Sequence, residues 1–148
     1  MSDTWLRFVP EEPSFTPTAA AAELARNLFA EFLPESEKVS AIFTDSIEFI
    51  DAGGNWSGVA CPHCAKNAED WWADAVDKSC EGAFQDLLVV TPCCGTQVSL
   101  NNLHYGWPVA FACFVLEAED PDRDLQPDQT EQLTQILGCK LRKVWAHI

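Results

Sequence analysis

The sequence has no apolar run that approaches the roughly twenty residues needed to span a membrane. It also lacks the features of a secretory signal peptide, since its first residues, Met1–Thr4, contain no basic side chain and no long apolar run follows them. The seven cysteines are an odd number, which argues against a framework of disulfides. These absences predict a cytoplasmic protein with reduced thiols and no membrane partner.

Basic residues are scarce. Nine Lys and Arg stand against 23 Asp and Glu, and the net charge is −14. Charge of this sign repels phosphates, so we expect no nucleic-acid partner. The charge suits a merely soluble protein, or one that docks on a basic protein.

Recognisable catalytic motifs are also missing. The sequence contains no Gly-x-Ser-x-Gly elbow and no Gly-rich phosphate loop, and His63, His104 and His147 form no convincing triad with its serines. We therefore predict no catalytic residues and no enzymatic activity.

Cysteine, in contrast, is concentrated in the middle of the chain. Cys61 and Cys64 form a Cys-x-x-Cys pair, and the adjacent Cys93 and Cys94 follow farther along. Two close pairs on separate turns suit a single tetrahedral Zn²⁺ with sulfur ligands. Four thiolates would fill the coordination shell, which predicts a structural metal rather than a catalytic one.

The second pair lies in the sequence Thr91-Pro92-Cys93-Cys94-Gly95, which resembles the Cys-Pro-x-Cys-Gly knuckle of zinc ribbons. Thr91 stands where that knuckle has its first cysteine. The resemblance covers Cys61–Gly95 with the short strands around it, and it implies that Cys94 is a ligand. The same turn and the C-terminal segment 141–148 are also similar to small bacterial proteins, a similarity that implies no activity.

The residues alone offer several candidates for the fourth donor. Cys93 is the expected one, although neighbouring residues can share one metal only if the backbone bends sharply. His104 is the first alternative, followed by Cys80 and His63. Cys80, Cys113 and Cys139 are most simply interpreted as small buried apolar residues.

The first pair also permits a redox interpretation. Cys61-Pro62-His63-Cys64 is similar to the active-site tetrad of bacterial periplasmic disulfide oxidases. A strand before it and a helix after it would place Cys61 near a helix N-terminus, which lowers a thiol pKa. Such a protein would have no need of the second pair. The alternative function is therefore a cytosolic thiol-disulfide oxidoreductase that uses Cys61 and Cys64.

The order of predicted elements is β-α-β, a cysteine-bearing segment, and β-α-β. The first unit is a strand at 5–9, a helix with Thr16 as N-cap and Pro17 at its first position, and a strand at 42–51. Gly53-Gly54-Asn55 predicts a turn after which 56–60 returns as the partner strand. The cysteine-bearing segment contains a helix at 67–81 and strands at 87–91 and 96–100. The last unit begins with the apolar run at 109–118, which fits a helix or a strand, and the elements that follow favour a strand. The last unit continues with a helix from Pro127 to Gly138 and a strand at 141–148.

This order predicts an α+β fold, a ferredoxin-like split β-α-β sandwich in a single domain, residues 1–148. A zinc-ribbon-like insert occupies 53–105. We expect a non-enzymatic zinc-binding protein that acts by protein–protein interaction. A specific form of this hypothesis is an immunity or antitoxin-type protein, whose carboxylates cover the basic active-site surface of a nucleic-acid-cleaving toxin.

Overall fold

The computed structural model describes residues 4–147 and contains three α-helices and eight strands in that range. In chain order the elements are β1 (Thr4–Pro10), α1 (Ala19–Phe32), β2 (Lys38–Ile50), β3 (Val59–Ala60), α2 (Glu69–Glu81), β4 (Leu88–Val90), β5 (Gln97–Ser99), a short 3₁₀ helix (Leu100–Asn102), β6 (His104–Tyr105), β7 (Ala110–Glu119), α3 (Pro127–Leu137) and β8 (Leu141–His147). None of the described helices combines the length and apolar content needed to cross a bilayer.

Four of these strands form one antiparallel sheet in the order β2-β7-β1-β8. β1 is antiparallel to both β7 and β8, and β2 is antiparallel to β7. β1 and β2 therefore run in the same direction with β7 between them, and β7 and β8 run in the same direction with β1 between them. The prediction of an α+β fold is confirmed, and the apolar run at 109–118 is a strand.

The main core lies between this sheet and two helices, α1 and α3. Small and aromatic side chains spaced three and four residues apart give α1 one buried face, formed by Ala22, Ala25 and Phe29. Phe29 meets Phe8 of β1 edge to face, with ring centroids 5.7 Å apart. Leu133 of α3 is buried in the same cluster. Burial of each large side chain contributes about 1.5–3 kcal/mol, so this cluster stabilises the sheet and both helices together.

Local sequence signals explain the limits of these helices. The Thr18 hydroxyl, not that of Thr16, caps α1 by accepting a hydrogen bond from the Ala21 N–H at 3.1 Å, and the predicted N-cap is therefore two residues too early. α3 begins at Pro127 and ends at Gly138, whose φ of 78° is left-handed and favours glycine.

The residues between β2 and β7, 51–109, build a second core of their own. Its buried members come from β3, from β5, from the loops around α2 and from the 3₁₀ helix with the residue after it: Val59, Ala68, Phe84, Leu87, Val98, Leu100 and Leu103. Phe111 of β7 joins this core to the sheet, since its ring lies 5.3 Å from that of Phe84 and 5.2 Å from that of Phe49. The second core that carries the cysteine-bearing turns is thus attached to the main sheet through β7 and β2.

A buried asparagine, Asn101, adds a polar connection between the two parts. Its Oδ1 accepts hydrogen bonds from the Phe111 N–H and from Nη1 of Arg142, both at 3.0 Å. Its Nδ2 donates to the carbonyl of Glu11 at 3.0 Å. The side chain therefore links the 3₁₀ helix to β7, to β8 and to the loop after β1.

The structure contradicts the predicted hairpin at 42–60. β2 pairs with β7 along most of its length, and the short β3 pairs with β6 instead. Gly53 does adopt a left-handed φ of 56°, but the chain after it crosses towards β8, where the Gly54 N–H donates to the carbonyl of His147. In the predicted final strand, Val144 and Ala146 are buried on one face, while Ile148 lies outside the described residues.

Candidate metal centre

The first cysteine pair lies in a tight turn that follows β3. The Cys61 N–H donates to the carbonyl of Lys66 at 2.9 Å, and the Ala65 N–H donates back to the carbonyl of Cys61 at 3.0 Å. Ala65 adopts a φ of 63°, which lets the chain reverse within a few residues. The turn brings Cys61 and Cys64 to the same side of the backbone.

The second pair lies in a turn of the same construction, between β4 and β5. The Thr91 N–H donates to the carbonyl of Thr96 at 2.9 Å, and the Gly95 N–H donates to the carbonyl of Thr91 at 2.7 Å. Gly95 adopts a left-handed φ of 70°, as Ala65 does with a φ of 63° in the first turn. Thr91 thus occupies the place of Cys61, and Cys94 occupies the place of Cys64.

The four sulfurs of the two turns form a single cluster. All of them lie within 4.8 Å of one another. Sγ of Cys61 is 3.8 Å from Sγ of Cys94, and Sγ of Cys64 is 3.3 Å from Sγ of Cys93. A tetrahedral zinc ion with Zn–S bonds of about 2.3 Å has sulfurs about 3.8 Å apart. The cluster is therefore compatible with a zinc site.

The other donors considered from the sequence are not part of this cluster. Within the described residues, the group of ligand atoms that includes these sulfurs contains neither His104, Cys80 nor His63. His63 and Cys80 are exposed. Cys93 takes part from the position that His63 occupies in the first turn, so two adjacent residues both turn their sulfurs into the cluster.

Hydroxyl groups surround the sulfur of Cys94. Oγ1 of Thr91 lies 3.2 Å from it and Oγ1 of Thr96 lies 3.4 Å from it. These contacts, that of Thr91 first, lower the pKa of the Cys94 thiol to about 6, because hydroxyl donors stabilise the thiolate. The contribution of Thr91 depends on its burial, which keeps the hydroxyl away from water.

The pKa values of Cys61 and Cys93 are shifted in opposite directions. The backbone N–H of Cys64 lowers the pKa of the Cys61 thiol, with a smaller contribution from that of His63, against the opposing effect of burial. The neighbouring sulfur of Cys64, followed by burial, raises the pKa of Cys93 to about 12. Several thiolates so close together repel one another, whereas a divalent cation would hold every coordinating sulfur deprotonated.

The sequence identified the cysteines but not the hydroxyls of Thr91 and Thr96 as part of the site. The signal that indicates Thr91 is its position in the second turn, where the zinc-ribbon pattern has a cysteine. Nothing comparable marks Thr96, which reaches Cys94 only because the turn closes on itself.

Exposure differs across the cluster. Cys61 is fully buried, Cys64 and Cys93 are partly buried, and Cys94 is exposed. The site therefore lies at the surface of the second core, with Cys61 as its innermost sulfur and Cys94 as its outermost. The chain matches no protein-family model, no curated protein and no solved structure.

Proposed function

We propose that Cys61, Cys64, Cys93 and Cys94 hold one structural Zn²⁺, and that the protein acts by binding another protein. The observation that carries the metal assignment is the mutual proximity of the four sulfurs, within 4.8 Å. Four thiolates complete a tetrahedron and leave no position for water or substrate, as in structural zinc sites. When bound, the ion supplies a cross-link between the two turns.

The finer features of the fold belong to the same proposal. We propose that residues 53–105 form a zinc-ribbon-like insert, which the matching hydrogen bonds of the two turns support. We propose further that the sheet with α1 and α3 is a ferredoxin-like sandwich. The strand order β2-β7-β1-β8 supports this arrangement. In it, α1 connects β1 and β2, which have β7 between them, and α3 connects β7 and β8, which have β1 between them.

Charge indicates the kind of partner. With a net charge of −14, the protein attracts a basic surface and accelerates encounter with it, more strongly at low ionic strength. The specific form of the proposal is an immunity or antitoxin-type role, in which carboxylates replace phosphates at the active-site surface of a nucleic-acid-cleaving toxin. The size of the chain and its predicted lack of catalytic residues support a binding role in the cytoplasm.

The alternative is a thiol-disulfide oxidoreductase that uses Cys61 and Cys64. One observation favours it, the lowered pKa of Cys61, because the thiolate is the attacking species. Burial of Cys61 weighs against it, since an attacking sulfur must reach a disulfide of the substrate. We therefore place this function second.

Metal content separates the two functions. We expect the purified chain to contain one zinc per molecule and its four clustered thiols to resist alkylation until a chelator removes the metal. Cys61→Ser should lower both the zinc content and the thermal midpoint. Cys80→Ser, which changes an exposed thiol outside the cluster, is the matched control and should change neither. Metal-free protein with rapid alkylation at Cys61 alone would support the oxidoreductase instead.

Partner capture tests the binding role. The tagged full-length chain should retain basic proteins from a host lysate at low salt and release them as the salt concentration rises. Co-expression with any captured nucleic-acid-cleaving protein should relieve its toxicity. Recovery of no basic partner across these conditions would contradict the proposed role.

A further inference from the structure

A groove of about 600 Å³ lies between α2 and β4, next to the second cysteine turn. Trp71, Ala75 and Lys78 of α2 form one wall, and Leu88, Val90 and Pro92 form the other. Grooves of this size are typical of binding sites for small ligands and peptide segments.

The β4 wall exposes unusually apolar side chains. Leu88 and Val90 are 55% and 64% exposed, and they lie two residues apart in the same strand. Successive side chains of a strand alternate between faces, so both point to the same side while Val89 packs into the second core. Proteins normally protect an exposed apolar edge strand with charges or proline, because it invites pairing with another chain.

The backbone of β4 is also available for pairing on that edge. Among the described strands, β4 pairs only with β5. The Leu100 N–H donates to the carbonyl of Leu87, and the Thr91 N–H donates to the carbonyl of Thr96. Hydrogen-bonded positions alternate along an antiparallel pair, so Leu87, Val89 and Thr91 face β5, and the peptide groups of Leu88 and Val90 face away from it. The Leu88 N–H already donates to Oδ1 of Asp86 at 3.0 Å, so an added strand would pair with the Leu88 carbonyl and with the N–H and carbonyl of Val90.

The α2 wall contributes an unsatisfied donor. The buried indole N–H of Trp71 has no hydrogen-bond partner among the described residues. A buried donor without a partner costs free energy, and most such groups in proteins are paired. Trp71 lines the groove, whereas the neighbouring Trp72 donates its own indole N–H to the Tyr105 hydroxyl.

The charge around the groove selects the partner. Lys78 and Asp86 are the charged side chains that line the groove, and Asp74 and Glu81 lie beside it on the neighbouring exposed row of α2, three residues from Trp71 and Lys78 respectively. Asp70 and Asp77 extend the same exposed row. A second copy of the chain would bring two such rows together, and like charges at an interface oppose association. Basic side chains would be attracted instead.

We propose that this groove binds an extended, basic segment of a partner protein, which adds a strand to the open edge of β4. Apolar side chains of the segment pack on Leu88 and Val90, and intervening Lys or Arg side chains face the carboxylates of α2. The proposal rests on the proposed role as a binding protein and adds to it the surface that is used. Because β4 leads directly into Thr91 and Pro92, the metal would order the strand that receives the partner.

The test uses the purified full-length chain and two libraries of synthetic peptides of about ten residues, a length that matches one to two strands. Both libraries have apolar residues at alternate positions, while the intervening positions are Lys or Arg in one and Asp or Glu in the other. We expect the chain to select peptides from the basic library only. Selection from the acidic library at equal affinity would overturn the assignment of charge.

Substitutions then locate the site. Leu88→Lys and Val90→Lys place a like charge in the path of a basic peptide at exposed positions, and each should weaken the affinity of the best basic peptide by at least about tenfold. Leu24→Lys is the matched control, because Leu24 is 61% exposed on α1 and should leave the affinity unchanged. Zinc content and thermal midpoint, measured for each variant, establish that the fold is retained. If all three substitutions weaken the peptide affinity equally, or if none weakens it, the groove is not the peptide-binding site.

A modified peptide tests strand addition itself. Methylation of alternate backbone nitrogens removes the donors on one edge of the peptide and leaves every side chain in place. Of the two alternately methylated versions, the one blocked on the paired edge should lose affinity by at least about tenfold, because its backbone hydrogen bonds are lost. If both versions bind like the parent, the segment does not bind as a strand.

Two further outcomes would also contradict the groove. Binding of no peptide, together with capture of a basic protein by Leu88→Lys and wild type alike, would exclude this groove but leave the proposed function intact. A concentration-dependent dimer that Val90→Lys dissociates would show that a second copy occupies the edge instead.

Discussion

The hydroxyl oxygen of Thr91 lies 3.2 Å from the sulfur of Cys94, at the position where the first turn has Cys61. Both turns close with a hydrogen bond of 2.9 Å. In the first turn the Cys61 N–H donates to the carbonyl of Lys66, and in the second the Thr91 N–H donates to the carbonyl of Thr96. Thiolate is a zinc ligand and a neutral hydroxyl is not among the usual ones. In the proposed zinc site, Thr91 would therefore support the ligand Cys94, whereas its counterpart Cys61 would itself be a ligand, and Cys93 would supply the fourth sulfur.

The first prediction concerns the exchange of these two positions. Cys93→Ser should lose the bound zinc, because three sulfurs remain. Adding Thr91→Cys to that variant should restore one zinc per chain, since the backbone at Thr91 matches that at Cys61. Metal analysis and thermal unfolding of the single and double variants measure this. Wild-type zinc content in Cys93→Ser would mean that the fourth donor is another residue.

The second prediction concerns the pKa of Cys94. In the metal-free protein, alkylation of Cys94 should show a midpoint near pH 6, because the hydroxyls stabilise its thiolate. Thr91→Val removes the larger contribution and should move the midpoint upwards, so alkylation at neutral pH becomes slower. Thr96→Val removes the smaller contribution and should have a smaller effect. Mass spectrometry of the Cys94 peptide gives the rates, and an unchanged midpoint in both variants would refute the assigned cause.

The third prediction concerns the buried asparagine of the 3₁₀ helix. Asn101→Leu leaves the buried Phe111 N–H without its acceptor, while Nη1 of Arg142 keeps the backbone carbonyl of Asn101 at 2.7 Å. A buried group left without a partner costs about 1–3 kcal/mol, so the free energy of unfolding should fall by roughly that amount. Urea denaturation measures the loss. Asn102→Leu, at the exposed neighbouring position, is the control and should change stability by less than about 0.5 kcal/mol.

The fourth prediction uses the fact that the chain has one tyrosine. Burial raises the pKa of Tyr105 to about 12, from about 10 in an unfolded chain. The folded state thus favours the neutral phenol. The resulting stability is fully present below pH 10 and is lost as the pH rises from 10 towards 12.

Ultraviolet absorbance of the phenolate measures this directly, in native buffer and in denaturant. The native transition should lie above the denatured one, and Tyr105→Phe should abolish both signals. A native transition near pH 10 with the fold intact, as judged by circular dichroism, would show that Tyr105 is accessible to water.

Local elements were predictable because short-range chemistry specifies them. Proline at the start of α3 and glycine after its end act within one turn of the helix, and the predicted limits, Pro127 and Gly138, agree with the structure. The two cysteine pairs were predictable for the same reason, since each pair depends only on its own turn. The predicted hairpin at 42–60 was wrong because the turn signal at Gly53 does not indicate which strand pairs with β2. β7 lies far along the chain and pairs with β2 along most of its length.

The sequence alone determined that this protein has two sulfur-bearing turns, an excess of negative charge, and helices with one apolar face. Each of these is a property of neighbouring residues. Only the tertiary structure decided that the turns meet sulfur to sulfur, that the Thr91 hydroxyl faces Cys94, and that the β4 edge stays open beside α2. These relationships join residues far apart in the chain. They depend on how the second core packs against Phe111, and no local pattern contains that information.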